Sequence, residues 1–170
     1  PMKGGSGDNY LLQTVQNVRR FKGAGQAKVY PAASGADWSR AKCYYDFGSD
    51  NSARKSRAAW GGKTYRQEAG RVNVQKIELV HDEKKLYFRI TAQQDIGNRT
   101  GTEWMNLFIG TGEPALKGWE GYEYVLNRAS EGSVSRLSSD FSLTDAGKAE
   151  VSVQGKEMYI TLSRELLGLT

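Results

Sequence analysis

Apolar and polar residues alternate along much of this chain, and a period of two marks half-buried β-strands. In Lys85–Ala92, Leu86, Phe88, Ile90 and Ala92 alternate with Tyr87, Arg89 and Thr91, which gives one core face and one half-polar face. The run Val72–Val80 precedes it, and Asp82-Glu83-Lys84-Lys85 joins the two as a hairpin. Val151 and Val153 lead through Gly155 to Met158, Ile160 and Leu162, a second hairpin, and Ser163–Leu167 predicts a closing helical turn. Ala27–Tyr30 and Trp38–Phe47 are further strand segments; in the latter Ala41, Cys43 and Tyr45 share one face, with Arg40, Lys42 and Tyr44 on the other.

Between the hairpins, Thr102–Arg128 predicts two strands joined by a loop that contains Gly112, Pro114 and Gly118. Alternation over Glu103–Ile109 puts Trp104, Asn106 and Phe108 on one side and Met105, Leu107 and Ile109 on the other. Gly121–Arg128 does the same with Tyr122, Tyr124 and Leu126 against Glu123, Val125 and Asn127. Neither strand has a clean polar face, so the pair is expected to sit centrally and to be covered on both sides. Gly48–Lys63 reads as a long polar loop with Trp60 near its end. At the N-terminus, Asp8 or Asn9 caps a helix over Tyr10–Phe21, with Leu11, Val15 and Val18 at helical spacing, cations in its last turn and Gly23 after it. The expectation is an all-β fold, an antiparallel two-sheet β-sandwich of jelly-roll-like form with one short N-terminal helix. Residues 1–23 are the linker and helix, and residues 24–170 are the sandwich.

Composition narrows the function classes. The 170 residues are 38% hydrophobic, enough for one real core, and no apolar run reaches the ~18 residues of a membrane helix. A net charge of +5 raises the question of nucleic acid. The cations are scattered, from Arg19 to Arg71, and no RNA-binding motif accompanies them, so a solvated basic surface is the reading. The one cysteine, Cys43, forms no internal disulfide, and His81 is the one imidazole. There is no phosphate loop and no Ser-His-Asp spacing. Pro1–Gly7 looks like a linker, and Leu167–Thr170 falls within an element, so the chain reads as a piece excised from a longer protein.

The order Lys76–Ile90, then Trp104-Met105-Asn106-Leu107-Phe108-Ile109-Gly110-Thr111, then Gly121–Arg128, then Met158–Leu162 with Leu166-Leu167-Gly168, resembles the family 9 carbohydrate-binding modules and their DOMON-like relatives. The resemblance covers residues 72–170, and Trp38–Asp46 more loosely. It implies a non-catalytic β-sandwich attached to a secreted, periplasmic or cell-surface glycan-processing protein. A polysaccharide or oligosaccharide and the other domains of a longer parent chain would be its partners, with no nucleic acid and no membrane insertion. Sugar-binding members place a tryptophan and acids just ahead of a Phe-Ile-Asp strand and a second tryptophan near the C-terminus. Here the first region reads Asn98–Glu103 without an aromatic, the aspartate stands as Gly110, and the chain ends where the second tryptophan is expected.

Sugar recognition needs flat aromatic faces for the C–H side of a pyranose and planar polar groups for its hydroxyls. Trp60, Trp104, Asn106, Trp119 and Tyr122 are the ligand-binding candidates, with Tyr44 and Tyr65 as further rings and Arg89, Glu123 and Asn127 as further polar groups. The plain alternative is that Trp104 and Phe108 belong to the core and that the module is a structural or interaction sandwich. A glycosidase would need paired carboxylates, for which Glu103, Glu120 and Glu123 are the candidates. No cofactor is implied; Asp46 and Asp50 are the oxygen donors for a structural calcium ion, at a spacing that matches no metal loop. Haem ligation would fall to His81, Met105 or Met158, of which the methionines read as core.

Overall fold

Both cleanly alternating segments form hairpins. In chain order the strands are β1 (Tyr30–Pro31), β2 (Lys42–Tyr45), β3 (Arg54–Arg57), β4 (Thr64–Gln67), β5 (Val74–His81) and β6 (Lys85–Ala92). They continue with β7 (Leu107–Ile109), β8 (Tyr124–Leu126), β9 (Ser133–Leu137), β10 (Leu143–Lys148), β11 (Glu150–Gln154) and β12 (Glu157–Ser163), and a 3-10 turn over Glu165–Leu167 follows. The computed structural model describes residues 30–31, 36–46, 53–57, 64–67, 72–112 and 118–169. The expected helix over Tyr10–Phe21 and the boundary at residue 23 lie outside the described residues.

The first sheet runs β5-β6-β12-β11, all antiparallel; on the other side of β5 lie β2, antiparallel, and the two residues of β1, parallel. The second runs β10-β9-β8-β7, also antiparallel, and β3 pairs with β4 separately. Register sets which side chains share a face. Ile77, Ile90 and Met158 lie abreast, as do Leu79, Phe88 and Ile160. From the second sheet, Tyr124, Leu126 and Val134 join the same buried cluster, together with Ile96, Trp104 and Leu167 from the connections. Two sheets thus share one core, which makes the protein an all-β, two-sheet structure of the sandwich kind. Each fully buried aliphatic chain, such as Leu126 or Ile160, contributes about 1.5–3 kcal/mol.

Three expectations are corrected. Among the described residues the 107–109 strand is at the edge of its sheet, and of the expected pair only β8 is interior, because β9 and β10 continue the sheet on the far side of β8. The expected strand Trp38–Phe47 shortens to Lys42–Tyr45: Asp37 Oδ1 accepts from Ser39 N at 2.9 Å and Ala41 N donates to Trp38 O at 3.1 Å, so the chain turns before it extends. The polar loop Gly48–Lys63 contains β3, whose residues Arg54–Arg57 pair with Thr64–Gln67.

The β5–β6 turn is closed by its own aspartate. Asp82 Oδ1 accepts from the Lys84 and Lys85 amides at 2.8 and 2.7 Å, and Tyr87 Oη donates to Asp82 Oδ2 at 2.6 Å. The Tyr87 bond and the backbone amides hold the Asp82 carboxyl below its usual range, and the same Asp82 bond pushes the Tyr87 phenol up to about 12. The lowered acid makes this bond's contribution present above pH ~4 and lost as pH falls; the raised phenol makes it present below pH ~10 and lost as pH rises through about 12. Asp82→Asn is expected to return the Tyr87 ionisation toward ~10, read by ultraviolet pH titration against the other tyrosines.

Candidate functional site

The segment ahead of β7 departs from a strand at Met105, whose φ is 46°. A left-handed residue breaks the two-residue period, so Trp104 does not share a face with Phe108 as alternation predicted. Trp104 instead turns into the core, 5% exposed. Beside it, Val72 and residues 100–105 line a cleft of about 510 Å³. That volume falls within the ~300–1,000 Å³ of small-ligand sites.

The cleft loop is tied to the β8–β9 turn by side chains. Asn127 Nδ2 donates to Met105 O at 3.0 Å, while Asn127 Oδ1 accepts from Gly132 N at 2.9 Å. Arg128 Nη1 donates to Thr102 O at 3.3 Å and to the Glu103 carboxylate. Arg99 Nη2 donates to Arg128 O at 3.1 Å, and Asn106 Nδ2 donates to Thr102 O at 2.9 Å. The hydrogen bond from Arg128 holds the Glu103 carboxyl below its ordinary range. Within this frame Trp104 Nε1, Asn106 Oδ1 and Arg99 Nε are buried and find no hydrogen-bond partner among the described residues. Buried polar atoms are nearly always paired, and three on one short loop is a concentration of unused hydrogen-bonding capacity. The loop therefore combines an aromatic residue, an unpaired indole N–H, an unpaired amide oxygen and one exposed carboxylate.

Trp119 and Tyr122 lie elsewhere, at the β7–β8 connection. Glu120 and Gly121 both have positive φ, 52° and 87°, and make a tight turn that bridges Trp119 to Tyr122. Phe108 is the hub of this group, with ring centroids 5.7 Å from Trp119, 5.8 Å from Tyr122 and 6.4 Å from Phe141. Trp119 meets Phe141 edge-on at 5.0 Å and 82°, and the Arg128 guanidinium lies 5.5 Å over Phe141. Interplanar angles of 43–82° are those of a packed aromatic cluster, and such rings offer no coplanar platform. Tyr122, 41% exposed, is the ring of this group that most meets solvent.

The remaining candidates are placed as follows. Trp60 and Asp50 lie outside the described residues, as does the side chain of Tyr65. Asp46 is half-buried after β2 and its amide donates to Gln75 O at 2.8 Å. Among the described residues no group of three His, Cys, Asp or Glu gathers to hold a metal ion. Tyr44 is half-buried, and burial raises its phenol. Asn127, expected as a sugar-binding amide, is fully buried and gives both ends of its side chain to backbone. Glu123 is buried and accepts from Thr111 N at 2.6 Å and Thr111 Oγ1 at 3.2 Å. Glu103 is the one acid lining the cleft among the described residues. Gly110, standing where the resemblance expects an aspartate, has no room for one, since a Cβ there would meet Gly121 O at 2.7 Å. His81 Nδ1 lies 2.8 Å from Asp82 O and donates its N–H to that carbonyl.

Sequence reasoning did not single out Trp38, Tyr87 and Tyr159, which line a separate pocket. The signal for the two tyrosines was available, since both occupy the half-polar face of a predicted hairpin strand. Trp38 was hidden by a strand assignment that the Asp37–Ser39 turn overrides. Asn127→Ala would leave Met105 O and Gly132 N unpaired and put alanine at a φ of 63°. It is expected to cost about 2–4 kcal/mol in urea unfolding. Among the described residues no helix is long and apolar enough to cross a membrane. Comparison with protein-family models, curated proteins and solved structures gives no match to this chain.

Proposed function

We propose that this chain is a non-catalytic carbohydrate-binding module, a jelly-roll-like sandwich of the family 9 kind with an N-terminal helix. In this reading it serves as an accessory to a secreted, periplasmic or cell-surface glycan-processing protein such as a glycoside hydrolase. Its partners are an oligosaccharide or polysaccharide and the other domains of the parent chain. The observation that carries the reading is the cleft beside Trp104, where a buried indole N–H has no partner among the described residues. A sugar hydroxyl accepts from an indole N–H, so Trp104 Nε1, once the loop shifts to uncover it, supplies a hydrogen-bond donor to a pyranose in the cleft.

The second reading is a structural or protein-interaction sandwich without a sugar site, and the tilted packing of Phe108, Trp119, Tyr122 and Phe141 favours it. A glycosidase draws less support. Glu103 is engaged by Arg128 and Glu123 by Thr111, which leaves no carboxylate pair at the cleft among the described residues.

Isothermal titration of the 170-residue chain with a panel of neutral oligosaccharides separates these readings. Saturable binding of one glycan class is expected, weakened up to about tenfold by Trp104→Phe, which keeps a ring in the core and removes one hydrogen-bond donor. No heat from any glycan, with the protein folded by circular dichroism, would leave the scaffold reading in its place.

A further inference from the structure

The outer face of the first sheet carries a second feature of the right chemistry, away from the Trp104 cleft. Across β5, β6, β12 and β11 the register aligns Val80, Tyr87, Thr161 and Glu150 in one row. The next row is Glu78, Arg89, Tyr159 and Ser152, and the third Lys76, Thr91, Glu157 and Gln154. Trp38, carried on the turn ahead of β2, leans over these rows. Its ring centroid is 6.4 Å from that of Tyr159, and the Arg89 guanidinium lies 4.8 Å from it. Ala36, Trp38, Tyr87, Tyr159 and Thr161 line a pocket of about 200 Å³.

The polar groups here are held in place. Arg89 Nε donates to Glu78 Oε2 at 2.6 Å, and Lys76 Nζ lies 3.1 Å from the same oxygen. Burial alone would raise the Glu78 carboxyl, yet the bonds from Arg89 and Lys76 bring it below its usual range, so it stays charged and anchors Arg89. Tyr159 Oη donates to Glu157 Oε2 at 2.6 Å, as Tyr87 Oη does to Asp82. Both phenols are therefore fixed; the Tyr87 oxygen can still accept, while the Tyr159 oxygen also faces the Arg89 guanidinium. Thr91 Oγ1, on the same face, is buried and finds no partner among the described residues.

We propose that this pocket binds the ring of a single neutral sugar, with Trp38, Tyr87 and Tyr159 as its aromatic walls. The charge pattern selects the class. The Asp82 and Glu157 carboxylates that hold the two phenols disfavour an anionic sugar, and Arg89 against the indole disfavours the quaternary ammonium groups that aromatic walls otherwise attract. A neutral pyranose has the apolar C–H face for the rings and the hydroxyls for the fixed phenol and carboxylate oxygens. The volume is below the ~300 Å³ at which drug-sized sites begin, so the pocket takes one ring and no chain.

Two-dimensional proton–nitrogen NMR of the 170-residue chain titrated with glucose, galactose, mannose, xylose and N-acetylglucosamine tests this site separately from the Trp104 cleft. At least one sugar is expected to shift the Trp38 indole and the amides of residues 87–89 and 157–161 saturably. Trp38→Ala should weaken that binding at least tenfold, whereas Trp104→Phe should leave it unchanged. Tyr159→Phe, which keeps the ring and removes the hydroxyl, should also weaken it and serves where Trp38→Ala does not fold. Shifts confined to residues 100–105 would support the cleft and overturn this pocket. No shift at the Trp38 face with any of the five sugars would overturn it too.

Discussion

The arrangement turns on Asn127. It is fully buried at the end of β8 with a φ of 63°, a conformation that asparagine tolerates better than most residues. Its backbone N–H donates to Ser133 O at 2.9 Å, its amide oxygen takes Gly132 N, and its amide nitrogen reaches Met105 O. One side chain thus closes the β8–β9 turn and anchors the loop that forms the cleft. Arg128 follows directly and repeats the tie to Thr102 and Glu103 while stacking on Phe141. Without these bonds the left-handed Met105 would have nothing to offset its strain, and Trp104 would have no reason to be held beside the cleft.

The two sheets then divide the work of the fold. Their inner faces bury Phe88, Ile90, Ile160, Leu126 and Val134, which holds the layers together. Their outer faces differ in kind. The second sheet carries a self-packed aromatic cluster around Phe108 that covers Val125, its fully buried partner across β7 and β8. The first sheet carries tyrosines held by carboxylates and an arginine held by Glu78, with Trp38 above them. Aromatic residues on the outer face of the second sheet complete a core; on that of the first sheet they line open space next to polar groups. That contrast explains why exposure of a ring and its use as a binding surface are separate questions in this protein.

The hairpins β5–β6 and β11–β12 were legible because β6 and β12 each bury one face and alternate cleanly, although a bulge between Val74 and Lys76 shifts the phase of β5. The 3-10 turn after β12 was legible for a similar reason, with Leu167 buried at its end. The 103–109 segment was not. Its residues alternate well enough to suggest a strand, but alternation carries no information about a left-handed residue at Met105, which depends on a partner more than 20 positions away. Likewise, the role of Asn127 is invisible in a run such as Tyr-Val-Leu-Asn-Arg, because it rests on backbone groups of two other segments. Trp38 read as the start of a strand since the turn that presents it is set by a single Asp37 side chain. The sequence offers Trp104 both as a ligand candidate and as a core residue, and its burial bears on the second alone; the cleft beside it needed the third dimension.

The central claim is that a sugar occupies the cleft beside Trp104, and a crystal structure of the chain with the oligosaccharide that it binds most tightly addresses this most directly. A sugar oxygen is expected at about 3 Å from Trp104 Nε1, uncovered by a shift of the loop and accepting the indole hydrogen bond. Sugar density found only elsewhere, on the Trp119–Tyr122 turn for example, with the Trp104 cleft holding none of it, would contradict the account.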